Sequence, residues 1–184
     1  MNLTLSENDR RELCVIAREA IAAKLSHLEF SPQTHGEGCL QPGGVFVTLH
    51  ENGQLRGCIG RMRSGRPLRE TVRDMALAAA FEDPRFMPLS KAEYPELAIE
   101  ITVLGPMIRI QGKGDFSVGT HGLYIAAKGR SGVLLPQVAT ENGWDKEEFL
   151  SHLCAKAGLP SIAWREPEAE LFAFEGLVFS EKSS

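Results

Sequence analysis

Asn52 and Gly53 stand between two apolar-rich runs, GVFVTLH (44–50) and LRGCIG (55–60). Both central residues of a type I′ turn need positive φ, which Asn and Gly adopt with the least steric cost, so the pair predicts a two-residue β-hairpin loop. The fold must then contain an antiparallel ladder with one face covered by other elements. In the register such a loop dictates, Leu49 faces Arg56, Val47 faces Cys58 and Val45 faces Gly60. Arg56 and Cys58 then share a face with Val45, Val47 and Leu49, and a slip of one residue would turn both to the opposite face.

The remaining elements follow from periodicity. Ser6 with Asp9 is a capping-box signal, and Leu13, Ile16, Ala17, Ala20, Ile21 and Leu25 recur at helical spacing, predicting a helix over 7–27. Residues 30–44 are rich in Gly and Pro without periodicity and read as a long surface loop or flap. Pro67, Leu68, Val72, Met75, Ala76 and Ala79 mark a second helix that stops before Asp83-Pro84. Ser90 and Glu93 are a further capping-box pair, and the run 97–104 reads as a strand with Leu97, Ile99, Ile101 and Val103 on one face. Short strands are expected at 107–110, 123–127 and 132–135, the last two joined by the turn 128–131, and a helix that Asp145 caps is ended by Gly158. The aromatic and β-branched run 170–180 reads as a long strand. The order α, ββ, α, β, β, ββ, α, β predicts an α+β fold with a mainly antiparallel sheet packed with helices, as a single domain over 7–181.

In 184 residues, twenty basic against twenty-four acidic side chains leave a net charge of −4, so no global positive field gathers nucleic acid or anionic lipid, although a local basic patch stays open. The longest strictly apolar stretch, Met75 to Phe81, falls far short of the about 20 residues that cross a bilayer. The opening MNLTLSENDRRE lacks the basic start and apolar run of a signal peptide, which places the protein in the cytoplasm. Four scattered cysteines form neither a disulfide framework nor a metal-binding spacing and are expected as reduced thiols. His35 and Cys39 could approach one ion, but a mobile surface loop is the better reading of their segment; no metal or cofactor is assigned.

Walker, dinucleotide-binding, nucleophile-elbow and HExxH motifs are all missing, which removes whole classes of enzyme. What remains is Arg56 and Cys58 in LRGCIG, Asp83 and Arg85 in DPRF, Glu100 within an apolar strand, and His121 in GTHG. An arginine on a Val/Leu face requires a partner, because an unpaired buried charge is strongly unfavourable. Its fork suits a carboxylate or phosphate, so Glu100 is the internal candidate and an anionic substrate the external one. Cys58, flanked by Gly57 and close to Gly60, is either a nucleophile favoured by the nearby arginine or a small buried hydrophobe. His121 could exchange protons near neutral pH or simply be solvated. Asp83 reads as a turn residue accepting backbone hydrogen bonds, Cys14 and Cys154 as core, and Trp144 and Trp164 as packing anchors.

GVFVTLHENGQLRGCIG, AAFEDPRF, LAIEITVL, GTHGLYI, LLPQVATENGWDKEEFLSHLCAKAGL and AELFAFEGLVFSE together resemble the AMMECR-one domain family, over about Glu7 to Glu181. Its bacterial and archaeal members are called AmmeMemoRadiSam system protein A. The resemblance implies an α+β fold with a larger part and a smaller lobe around a cleft. It also implies partnership with a Memo-like protein and a radical S-adenosylmethionine enzyme. Any radical chemistry belongs to that partner, since this chain lacks the cysteine triplet for a cluster. Arg56 and Cys58 inherit the candidacy of LRGCIG, while Arg85, Glu100 and His121 sit in the matching DPRF, IEI and GxHG segments. Two functions are carried forward. In the first, the chain is an enzyme acting on a small anionic metabolite, with Cys58, Glu100 and His121 in catalysis and Arg56 and Arg85 holding the anion. In the second, it is a non-catalytic adaptor presenting the same cleft to a protein or nucleic acid, the acidic balance weighing against nucleic acid.

Overall fold

The computed structural model describes residues 4–34 and 36–181. These form two compact units, Gly105–Gly176 and the rest of the chain on either side of it, both α+β with antiparallel sheets.

In the unit that holds the hairpin, helix α1 (Glu7–Leu25) starts on the Ser6–Asp9 capping box and buries Leu13, Ile16, Ala17, Ala20 and Ile21. Its chain direction changes at His27, whose φ of 58° no helix continues. Strands β1 (Gly44–Glu51) and β2 (Gln54–Arg61) form the expected hairpin, with Asn52 and Gly53 at φ 51° and 78°. Glu51 pairs with Gln54 and His50 with Leu55, after which the register shifts. Leu49 faces Gly57, Thr48 faces Cys58, Val47 faces Ile59 and Val45 faces Arg61. Arg56 is thus the extra residue of a β-bulge, and the expected pairing of Leu49 with Arg56, Val47 with Cys58 and Val45 with Gly60 does not occur.

Helix α2 (Leu68–Phe81) supplies the reason for the bulge. A Cβ at position 57 would overlap the carbonyl oxygen of Ala79 and stand 3.1 Å from its carbon, so the helix backbone lies directly against β2 there. An unbulged ladder would point Arg56 into that contact. The bulge turns a glycine toward the helix and the guanidinium away from it, which removes the overlap. Strand β3 (Leu97–Leu104) pairs with β1 on the other side, and Leu97, Ile99, Ile101 and Val103 join Val45, Val47 and Leu49 in the core beneath α1 and α2. The glycine- and proline-rich stretch before β1 is irregular, as read, but it is anchored in the core rather than free as a flap. It contains a 3-10 turn at Glu37–Leu40, and Gly38 and Cys39 are buried against Asp9 and Leu5.

In the unit Gly105–Gly176, strands β4 (Ile108–Ile110), β5 (His121–Ala127), β6 (Arg130–Leu134) and β7 (Glu170–Ser180) run β4-β7-β5-β6, each pair antiparallel. Helix α3 (Pro136–Glu141), which the sequence reading does not anticipate, begins on a proline. Helix α4 (Lys146–Lys156) starts on an Asp145–Glu148 capping box and buries Phe149, Leu150, Leu153 and Cys154 against Leu123, Ile125, Leu171 and Ala173. Trp144 and Trp164 pack on this core as expected. The last residues of β7, 177–180, belong to the hairpin's unit, next to β3.

Candidate functional site

Residues directly opposite each other in an antiparallel ladder project to one face. Cys58 faces Thr48, and Thr48 faces Glu100 on β3, so the three side chains stand in a row on the face turned away from α2. Cys58 Sγ lies 3.2 Å from Thr48 Oγ1. The sharing of a face with Val45, Val47 and Leu49 is therefore overturned, and the bulge is the cause. Glu100 is half-buried and makes no described hydrogen bond or ion pair.

Strand β2 is an edge, and the backbone of Cys58 points out of the sheet. A turn after α2 closes that edge. Asp83 Oδ2 accepts the Cys58 N–H at 2.9 Å, and Arg85 Nη2 donates to the Cys58 carbonyl at 3.4 Å. Asp83 also accepts from Arg85 Nε at 3.0 Å, Nη2 at 2.7 Å and the Arg85 N–H at 3.1 Å. Its side chain is 2% exposed and that of Arg85 54%. The Arg85 guanidinium, aided by the two backbone N–H groups, outweighs burial and holds the Asp83 carboxyl well below the usual carboxylate range. The turn reading of Asp83 thus holds, and Arg85 ties the turn to Cys58.

Arg56 does not meet Glu100. Its Nε donates to Glu93 Oε1 at 2.7 Å and its Nη2 to the Met87 carbonyl at 2.9 Å. The bulge re-aims Arg56 toward the 83–93 segment, while Glu100 stays in the row with Thr48. The Arg56 side chain is only 11% exposed, and its Nη1 is buried without an acceptor. Glu93 also accepts from the N–H and hydroxyl of Ser90, at 2.8 and 2.7 Å. Arg56 first, then Ser90, lowers the Glu93 carboxyl to about 2. The Phe86 ring lies near both guanidiniums, 5.6 Å from that of Arg56 and 5.5 Å from that of Arg85.

Both carboxyls are depressed in the folded state, so their ionisation stabilises the fold fully above the unfolded value of about 4 and the gain is lost as pH falls through the folded one. Stability by urea denaturation should therefore decline from pH 5 toward pH 2. Glu93→Gln, less stable at neutral pH, should show a shallower decline.

Cys58, Arg56, Arg85 and Glu100 all lie in the hairpin's unit. His121 lies in the other, opposite Glu175 at the start of β5, with its Nδ1 accepting the Ser117 N–H at 3.1 Å. Thr48, Phe86 and Glu93 are the residues the sequence reading misses as members of the site; only Glu93 carries a local signal, its pairing with Ser90. Cys14, Cys39 and Cys154 are buried. Burial first, then Glu181, pushes the Cys14 thiol up to about 12; burial likewise takes Cys39 to about 11 and raises Cys154. Cys39 is core rather than loop, its Sγ 3.6 Å from the Asp9 carbonyl. His35 lies outside the described residues, among which no group of three His, Cys, Asp or Glu side chains could hold a metal ion. No helix among them is long and apolar enough to cross a membrane.

The profile of the AMMECR1 family matches residues 14–179. Protein MK0488 of Methanopyrus kandleri is 40% identical over 192 residues, covering 98% of this chain and 91% of the relative. A protein of Aquifex aeolicus is 38% identical over 182 residues, covering 95% and 93%. The crystal structure of the uncharacterized protein PH0010 from Pyrococcus horikoshii superposes with a TM-score of 0.88 at 37% identity, covering 94% of this chain and 91% of that one. Fold and sequence agree along nearly the whole length, and the chain belongs to the AMMECR1 family.

Proposed function

We propose that this chain is an enzyme, or an enzyme component, that binds a small anionic metabolite beside Cys58 and engages it through that thiol. The observation that carries the reading is the position of Cys58: three described cysteines are buried in the cores, whereas Cys58 is half-buried on the face away from the helices, in contact with a hydroxyl. The thiol proton passes to Thr48 Oγ1 as that hydroxyl hands its own to Glu100, the cross-strand neighbour within reach once its carboxylate turns toward Thr48. As the sulfur pair bonds to a carbonyl carbon, the C=O π pair moves to the oxygen, which in a keto acid takes the proton back from Glu100 and in an acyl phosphate or thioester re-forms the carbonyl and expels phosphate or thiolate. Arg85, half exposed, offers its guanidinium to the anionic group, and Arg56, spent on Glu93 and Met87, packs beside the ring of Phe86. His121 takes no step in this scheme. The partnership with a Memo-like protein and a radical S-adenosylmethionine enzyme is what the family resemblance adds.

A second reading, a non-catalytic module that docks a protein at the same place, draws on Leu55 and Met87, apolar side chains 43% and 81% exposed that neighbour Arg56 in sequence or by hydrogen bond. Intact-mass analysis after exposure to a panel of small keto acids, acyl phosphates and thioesters separates the two. The enzyme reading expects an adduct on the wild type, absent in Cys58→Ser and weakened in Arg85→Ala and Glu100→Gln. A panel that neither modifies Cys58 nor slows its alkylation favours docking.

A further inference from the structure

Residues 61–74 carry five arginines and no lysine against Glu70 and Asp74, a net charge of +3 in a chain of net −4, which leaves −7 on the remainder. The charge of the whole molecule therefore hides a strong segregation. Arg61 closes β2 on the face that carries Gly57 and Ile59, the side of α2, so the cluster is opposite the Cys58 row. Arg63 and Arg66 follow in the connection to α2, and Arg69 and Arg73 stand four residues apart on the helix, both half-exposed. Glu70 and Asp74 hold Arg66, and Asp74 holds Arg73, in ion pairs of 2.5 to 2.8 Å. Arg61 and Arg63 are exposed and have no described acceptor, and the Nε of Arg69 is buried without one. The α2 N-terminus beside them, with no side-chain cap, adds to the positive field.

We propose that this arginine surface binds the phosphodiester backbone of a nucleic-acid duplex, without reading its sequence. Three features of the surface select that occupant. Arginine forks match phosphate oxygens bidentately. The segment 61–74 contains no aromatic residue, so it lacks the stacking platform on which single strands are held. None of the exposed large apolar side chains among the described residues falls in 61–74, so the surface lacks the apolar anchors around which a protein interface is built.

The test is fluorescence anisotropy of the whole protein with labelled 16-base-pair duplexes of mixed sequence, one of DNA and one of RNA, over a salt series. With at least three phosphates neutralised, log K should fall against log salt with a slope of about −2.7 or steeper, roughly a 40-fold loss or more between 50 and 200 mM. Arg61→Glu with Arg63→Glu should weaken binding at least about tenfold and reduce the slope by about 2. The same two positions as lysine should keep most of the binding, and Cys58→Ser all of it; circular dichroism verifies that each variant is folded. The two arms identify which duplex is the source of the phosphates. Absence of binding at 20 mM salt, unchanged affinity in the double glutamate variant, or tighter binding of the single strand overturns the proposal. Equal competition by polyglutamate also overturns it, in favour of an acidic protein segment.

Discussion

Gly57→Val should destabilise the protein by about 3 kcal/mol or more, the upper end of what overpacking costs. The position accepts no side chain, because even a Cβ overlaps the Ala79 carbonyl oxygen, a backbone atom of α2 that no rotamer change can move. Relief requires α2 to lift off β2, which unpacks Val72, Met75, Ala76 and Ala79 from the core they share with Val47 and Leu49. Removing a glycine also restricts the unfolded chain, a gain of about 0.4–1 kcal/mol that is too small to offset the overlap. Gly65 is the control: a Cβ there meets nothing within 4 Å, so Gly65→Ala should stay within about 0.5 kcal/mol of wild type. Urea denaturation reads both, as a fall in midpoint with an unchanged slope for Gly57→Val. A neutral Gly57→Val would mean that the ladder is not bulged and that Cys58 faces the core.

Asp83→Ala is expected to cost about 3 kcal/mol. One carboxylate that is almost fully buried accepts from the Cys58 N–H, the Arg85 N–H and two guanidinium nitrogens. Hydrogen bonds to charged groups contribute about 1.5–3 kcal/mol each, but Arg85 is half exposed and regains water when its partner is removed, so the sum is not reached. What is not recovered is the edge of β2, whose outward N–H at Cys58 is left without its acceptor. Asp83→Asn, which keeps an acceptor oxygen but not the charge, should fall between Ala and wild type. Hydrogen exchange at the Cys58 amide should accelerate more in Asp83→Ala than in Arg85→Ala, because only the first removes its acceptor. Equal acceleration in the two would mean that the turn, rather than the carboxylate, holds the strand.

The parts of this structure legible in the sequence are those decided by local chemistry. The run 97–104 alternates cleanly and is a strand over those same residues, as is the aromatic run 170–180. The capping boxes at Ser6 and Asp145 start helices, and Asn52-Gly53 turns the hairpin. The register of that hairpin was not legible, because it depends on how closely α2 approaches Gly57, a contact between elements 22 residues apart in sequence at Gly57 and Ala79. One inserted residue then reverses the face of Cys58 and sends Arg56 to Glu93 rather than to Glu100. Cys39 follows the same logic: glycines that look like loop residues permit close approach, and Gly38 lies against the Asp9 carboxyl and Leu5. Composition likewise averaged away the arginine surface, since −4 over 184 residues is compatible with +3 over fourteen.

The account stands on Cys58 being the reactive thiol of this chain. Timed alkylation of the native protein with iodoacetamide across pH 6 to 9, read at each cysteine by peptide mass spectrometry, tests that directly. Cys14, Cys39 and Cys154, buried and with raised thiol values, serve as internal references and should react only after denaturation. Cys58 should be modified in the folded state at every pH, and more slowly in Thr48→Val and Glu100→Gln than in wild type. A Cys58 as protected as the other three would contradict the account, leaving Arg56, Glu93, Asp83 and Arg85 as a structural frame around an inert side chain.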